Sequence, residues 1–397
     1  MKEYYRVQAE IDLDAIYENI KNTREKLADG VKLMAVIKSD GYGHGAVAVA
    51  KTIDPLVDAY AVAILEEAEE LRKSGLTKPI LILGYVPEKQ YPELLMLSDV
   101  MPAIFTLEAA RALDRCAAEA GKEIKIHLKI DTGMGRIGFL PNEQSLSEIK
   151  QIHKLPKLCI DGCFTHFAKA DCKEKEDTWK QFYIFTDFIK KIKALGIALP
   201  VCHAANSAAI MELPQMHLDM VRSGISTYGL YPSEEVDKEE LPLKPGMAIR
   251  AFVSHVKEVE PGTAIGYGGT FVTERKTKVA TIPVGYGDGY PRSLSNLGRV
   301  LIHGKSANII GRICMDQFMV DVTDFDEVKT GDDVILVGTD GKERIRVEEL
   351  ADQSGSFNYE FVCDIGKRIP RVYFRGGKKV GTMDFYNNSQ AGLDLEL

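Results

Sequence analysis

Apolar positions follow two different patterns along this chain, and the change falls near Pro242. Before it, short β-branched runs alternate with longer amphipathic, charged stretches. The runs are LMAVIK (33–38), AYAVAIL (59–65), PILILG (79–84), VMPAIF (100–105), IKIHLKID (124–131), LCIDGCFTHF (158–167), LPVCHAAN (199–206) and LDMVRSGIS (218–226). In the stretches between, Leu13, Ile16, Ile20 and Leu27 share one helical face, with Asp12 as N-cap and Gly30 as stop. Residues 106–120 and 171–195 read the same way. Strand–helix alternation predicts parallel sheet, because parallel neighbours need a crossover. Eight such runs are the count of a TIM (β/α)8 barrel. An open doubly wound sheet is the structural rival.

After Pro242 helical spacing becomes scarce. MAIRAFVSHV, TKVATIPV, NIIGRI, MVDV and DVILVG are punctuated by EPG, KTGDD and TDGK. Short strands between turn signals predict a mostly antiparallel β-domain. The expected organisation is a barrel over 11–240 and a β-domain over 241–397, with residues 1–10 as an added strand. The end, NNSQAGLDLEL, reads as a polar frayed tail.

Composition narrows the classes. The net charge is −8, which gives no global reason to seek nucleic acid or an anionic membrane. No apolar run reaches the roughly 18 residues of a membrane span. The start, MKEYYRVQAEIDLDAI, lacks the apolar core of a signal peptide. Seven cysteines without a C-x-x-C pair argue against a disulfide framework, and Cys159 and Cys163 of CIDGC read as packing. The expectation is a reduced, soluble, cytoplasmic protein without a metal.

Barrel enzymes carry their chemistry at the C-terminal ends of the strands. Here those ends are polar. Lys38 follows the first run, Arg136 follows the fifth within DTGMGRIG, and His166 ends the sixth. Asn206-Ser207 ends the seventh, and Arg222, Ser223 and Gly224 close the eighth. Each alone reads as a solvated loop residue; together they face one mouth. Loops after strands seven and eight often bind phosphate, and Ser207, Gly224 and Ile225 stand there. A phosphate at that end and a lysine at strand one suggest pyridoxal phosphate, whose aldehyde condenses with a lysine amine. Gly41-x-Gly43-x-x-Ala46 also fits the dinucleotide fingerprint, with Glu66 downstream. That reading fails to place its first glycine at the strand end, and it leaves the later polar strand ends unexplained.

The chain resembles the bacterial alanine racemases over nearly its whole length. AVIKSDGYGHG, IHLKIDTGMGRIGF, FTHFAKAD, HAANS, VRSGISTYGLYPS, IGYGGTF, PVGYGDGYPR, GRICMDQFMVDVT and NYEFVCDIGKRIPR are similar to that family's motifs, in its order. The resemblance implies that Lys38 holds the cofactor and acts as one catalytic base, with Tyr267 as the base on the opposite face. It implies cofactor binding by Tyr42, His166, Asn206, Ser207, Arg222, Gly224, Ile225 and Tyr359, with Arg222 facing the pyridine nitrogen. Arg136 and the Met315 backbone would receive the substrate carboxylate. Lys129 matches a position that is often carbamylated in the family; a plain lysine is the alternative. The family's homodimer, with active sites shared between subunits, is expected, as is alanine as substrate and D-alanine for peptidoglycan as product. Racemisation suits this set, since a proton leaves one face and returns on the other. Arginine keeps its own proton, so the ring nitrogen it faces stays largely unprotonated.

Three departures from the family pattern bear on substrate choice. Ser39-Asp40-Gly41 follows the lysine, Gly366-Lys367 precedes RIPR, and Ser223, Ser226 and Thr227 make the eighth strand's exit polar. Hydroxyls facing the pocket would favour serine. Tyr286 and Tyr290 either line an entrance or cap a turn, and His203 and Cys314 read as core residues.

Overall fold

Continuous burial marks out the barrel strands. The computed structural model describes residues 2–388, so the expected tail lies outside the described residues from Ser389 onward. The chain divides into two units. Ala15–Gly41 and Ala46–Lys244 form one; residues up to Asp14, Tyr42–Gly45 and those from Pro245 form the other.

Strands are numbered in chain order, and β1 (Val7–Asp12) belongs to the second unit. The first unit holds β2 (Lys32–Val36), β3 (Ala59–Val62), β4 (Ile80–Ile82), β5 (Val100–Ile104), β6 (Ile124–Lys129), β7 (Leu158–Phe164), β8 (Val201–His203) and β9 (Met220–Ser223). They close in that order into a parallel barrel, β9 pairing back onto β2 through Lys32↔Met220 and Leu33↔Val221. The expected eight-stranded barrel is therefore present, and the open sheet is not. Every residue of β3, β4 and β5 is buried, as strands with side chains inside and helices outside must be. The helix Leu107–Glu119 follows β5, and the Thr106 side chain accepts from the Ala109 N–H as its N-cap. The expected helix over 171–195 begins later, at Glu176.

In the second unit burial alternates, as in β1 and in Met247–Phe252. One face of an antiparallel sheet meets the core there. β1 lies between Met247–Phe252, antiparallel, and Arg371–Arg375, parallel. The sheet has 11 strands, so this unit is mostly antiparallel but not wholly so.

The first turn after β2 is unusual. β2 ends at Val36, not at Lys38, and Ser39, Asp40, Gly41 and Tyr42 all have φ between 50° and 59°. This is the left-handed region, which costs a non-glycine residue about 1–2 kcal/mol. Local bonds hold the turn: the Gly41 N–H donates to the Ile37 carbonyl at 3.0 Å, and the Ala46 N–H donates to Asp40 Oδ1 at 2.8 Å. Glu67 accepts from the Ser39 N–H at 2.5 Å and from the Ala63 N–H at 2.7 Å. Relieving the exposed Ser39 by Ser39→Gly is expected to stabilise the fold by about 0.5–1 kcal/mol, after allowing for glycine's freer unfolded chain. Urea unfolding of the two proteins measures it; an unchanged or lower midpoint speaks against strain at this residue.

Candidate active site

The barrel's polar residues gather at one end because each follows, or closes, a parallel strand. Lys38 is half-buried just beyond β2. Its strand is fixed from the far side of the barrel seam, where the Tyr228 hydroxyl donates to the Val36 carbonyl at 3.0 Å.

Arg222, on β9, is 3% exposed and donates to two imidazoles and two backbone carbonyls. Its guanidinium donates to His203 Nδ1 at 2.8 Å, to the Thr165 and Ala204 carbonyls at 2.8 and 3.0 Å, and to His166 Nδ1 at 3.2 Å. Burial lowers its pKa to about 9, still on the charged side of neutral pH. Both histidines are held well below their ordinary value by burial first and the Arg222 charge second. They are neutral acceptors, as the donor geometry requires.

Lys129, the last residue of β6, is 3% exposed. It donates to the Ile130 carbonyl at 2.8 Å and lies 5.7 Å from the Phe164 ring centroid. Burial, then Arg222 and Arg136, lower its pKa to about 8 against the opposing pull of Asp131. A sizeable neutral-amine fraction is therefore available near physiological pH. Asp131 Oδ1 accepts from the N–H groups of Gly133, Met134 and Gly135 at 3.0, 2.9 and 3.1 Å. Burial alone would raise this carboxyl; those three donors and Lys129 bring it below the ordinary range. The same donors shape the loop that carries the exposed Arg136.

The turns after β8 and β9 make a cradle of hydroxyls and amides. Ser207 Oγ accepts from the Gly224 N–H at 2.9 Å, and Ser226 Oγ lies 3.0 Å from it. Ile225 opens the next 3-10 turn and is buried. Asn206 accepts from the Ala209 N–H at 3.1 Å, so its side chain caps the short helix after β8. Ser223 Oγ lies 3.1 Å from Ser226 Oγ and 2.9 Å from Thr227 Oγ1, all three fully buried. These hydroxyls bond one another behind Ser207, which removes the reason for expecting them to welcome a serine substrate. The donor set of an amine, two hydroxyl-bearing turns and a buried guanidinium fits a phosphorylated, basic aromatic ligand.

In the second unit Tyr42 and Tyr359 come together, their ring centroids 6.2 Å apart. Tyr267 stands between Gly266, Gly268 and Gly269, whose φ values of 69°, 70° and 53° form a turn only glycine takes easily. Its side chain is 67% exposed, and it lines a cleft of about 450 Å³ with Met315, Ile265 and Met319. The Met315 carbonyl accepts from the Gly287 N–H at 2.8 Å, and the Cys314 carbonyl from the Tyr286 N–H at 3.1 Å. Tyr286 is thus a turn residue that braces the Met315 loop, while Tyr290 is 1% exposed and stacks on Phe318 at 5.3 Å.

Sequence reasoning missed His203. It reads as a core residue, yet it is a direct partner of Arg222. A polar ring at the interior end of a barrel strand was the available signal. The packing reading for CIDGC holds for buried Cys163, which lies 3.7 Å from Cys202 Sγ, but Cys159 is exposed.

A closed parallel barrel with an amine just beyond β2 and a buried guanidinium, followed by a β-unit presenting a tyrosine, defines a two-unit barrel protein with a cationic mouth. Two family models match it: alanine racemase, N-terminal domain, over residues 11–232, and alanine racemase, C-terminal domain, over 246–373. The chain belongs to the alanine racemase family. It is 46% identical over 380 residues to an alanine racemase of Clostridium perfringens, covering 96% of this chain and 98% of that one. Its fold is similar to alanine racemase from Clostridium difficile 630, with a TM-score of 0.93, 41% identity and coverage of 97% and 100%. It is also similar to the Bacillus anthracis enzyme with bound L-Ala-P, with a TM-score of 0.93, 36% identity and coverage of 98% and 100%. Among the described residues no helix is long and apolar enough to cross a membrane.

Proposed function

We propose that this protein interconverts L- and D-alanine with pyridoxal phosphate, in the cytoplasm, and supplies D-alanine for peptidoglycan. The observation that carries the reading is the amine of Lys38, two residues beyond β2, in a barrel whose β8 and β9 exits offer Ser207, Gly224 and Ile225 to a phosphate, in a chain of this family. The relative with bound L-Ala-P supports an alanine-sized substrate.

When bound, the cofactor supplies the electron-withdrawing ring that acidifies the substrate's α-hydrogen. The chain's own residues do the rest. Lys38 would hold the cofactor and carry a proton at Nζ on one face. Tyr267 would exchange a proton at its phenolic oxygen on the other, since one base does not serve both faces. Arg222 would donate to the ring nitrogen and, keeping its proton, leave that nitrogen unprotonated. His166 would back Arg222 and the ring. Ser207, the Gly224 and Ile225 amides, Tyr42 and Tyr359 would hold the phosphate, beside the turn that Asn206 caps. Arg136 and the Met315 N–H would orient the substrate carboxylate. The exposed Tyr267 and Met315 would serve the barrel of a second subunit, making the working unit a homodimer. Lys129, as neutral amine, would take up carbon dioxide to form a carbamate and release a proton; the new negative charge would hold Arg136.

The test combines a visible spectrum, borohydride treatment and chiral chromatography of alanine after incubation. A borohydride-sensitive band and racemisation of either enantiomer are expected. A colourless protein that leaves alanine unchanged with cofactor present overturns the proposal.

A further inference from the structure

A chain of side chains runs from Arg222 through the barrel interior to a carboxylate on β7, and its direction is fixed by chemistry. Arg222 has only N–H groups to offer, so His203 Nδ1, 2.8 Å away, is the acceptor. The His203 proton is then on Nε2, which lies 3.0 Å from His127 Nδ1. His127 Nδ1 must accept in turn, so its proton is on Nε2. That atom is buried, makes no hydrogen bond, and faces Asp161 Oδ2 across 3.8 Å, a charge–dipole distance and not a hydrogen bond. Phe164 stacks on His203 with centroids 5.0 Å apart and planes 9° apart, and holds the ring in this orientation.

The backbone is built around the far end of this chain. Between β6 and β7 the register runs Ile126↔Ile160 and then His127↔Gly162. Asp161 is therefore the extra residue of a β-bulge, a device that re-aims a side chain. Gly162 is required beside it: a Cβ there would meet the Val201 carbonyl oxygen at 2.3 Å and His127 Cε1 at 2.8 Å. Asp161 is also held below the ordinary carboxylate range, by His127 first and then by Lys125 at 3.6 Å, against burial that raises it. A barrel wall that needed only packing would have no use for a bulge, a glycine and a half-buried carboxylate directed at one imidazole.

We propose that Asp161 and His127 are positioning residues for Arg222: the hydrogen-bonded chain Arg222→His203→His127, with the Asp161 carboxylate facing the His127 Nε2–H and favouring it electrostatically, fixes both imidazole tautomers and so holds the guanidinium in place. The functional consequence rests on the reading that Arg222 faces the cofactor's ring nitrogen. Losing the Asp161 carboxylate frees His127 to turn over its tautomer. His203 then loses its partner, and Arg222 loses the acceptor that orients Nη1.

The test uses holoenzyme labelled with ¹⁵N at histidine. Only eight histidines are present, and His127→Asn and His203→Asn assign the two signals. Both rings are expected as Nε2–H tautomers with unprotonated Nδ1. Nδ1–H on either ring overturns the proposal without any variant having to fold. Asp161→Ala is expected to mix the His127 tautomers, shift the cofactor's visible band and lower kcat roughly tenfold with KM unchanged, by displacing a group that must be placed closely. Asp161→Asn keeps a carbonyl oxygen and is expected to restore kcat to within about threefold, on the same placement argument. Wild-type tautomers and kcat in Asp161→Ala overturn the positioning role. The cofactor reading fails separately: Arg222→Lys with an unmoved band, beside the expected tautomers, overturns that reading and leaves the relay standing.

Discussion

Replacing Tyr267 by phenylalanine is expected to lower racemisation by about 10²–10⁴-fold, the usual contribution of a positioned acid or base, while KM stays within about threefold. The substitution removes one oxygen from an exposed side chain, so the glycine turn around it and the fold are untouched. The effect is asymmetric, and this separates it from general damage. Lys38 still serves its own face, so the enantiomer whose α-hydrogen points to Lys38 continues to exchange that hydrogen with solvent. Its mirror image does not. Proton NMR of each enantiomer in D₂O follows exchange, and chiral chromatography follows racemisation. Equal exchange of both enantiomers, or an unchanged kcat, rules out Tyr267 as the second base.

Lys38 stood out in the sequence for a physical reason, whereas the role expected of Tyr267 came only from the family resemblance. β3, β4 and β5 are buried throughout and read as unbroken apolar runs, and the lysine that interrupts the similar run of β2 stands out. The glycines beside Tyr267 signal a turn that only they form easily. The rest was hidden by long-range geometry. β6 and β8 are not neighbours in the barrel, so nothing local joins His127 to His203, 76 residues away. The bulge at Asp161 depends on pairing with β6 and has no signature in CIDGC itself. Ser39 and Asp40 take a left-handed conformation that their residue types seldom choose, so only the adjacent glycines hinted at the turn. The position of β1 between one antiparallel and one parallel neighbour rests on pairings with Met247–Phe252 and Arg371–Arg375, far along the chain.

The barrel mouth gathers Lys38, Lys129, Arg136 and Arg222, with the Asp131 carboxylate tied to three backbone N–H groups. Such a cluster favours an anionic ligand and destabilises the empty protein. Lys129 shows the cost most clearly, since its amine is buried and its pKa lies at about 8. An unfolded chain returns it to about 10.4. Below pH 8 both states carry the proton, and the folded state bears the full penalty of a buried charge. Between pH 8 and about 10.4 the unfolded state binds a proton that the folded state has released, so stability rises with pH. Lys129→Met removes the charge at similar volume. In carbon-dioxide-free buffer at pH 7 it is expected to be more stable than wild type by about 1–3 kcal/mol, the shift less the lost bond to the Ile130 carbonyl. The gain should shrink to near zero by pH 10.5. Adding bicarbonate should raise the wild-type Tm at pH 8 and leave Lys129→Met unmoved, because only an amine forms the carbamate. If the carbamate forms as proposed, the same variant should lose activity, since Arg136 would lose that anionic partner. Calorimetry across pH, with and without bicarbonate, measures all of this. A Lys129→Met protein less stable than wild type at pH 7, or a difference that ignores pH, would show that the buried amine carries no such penalty.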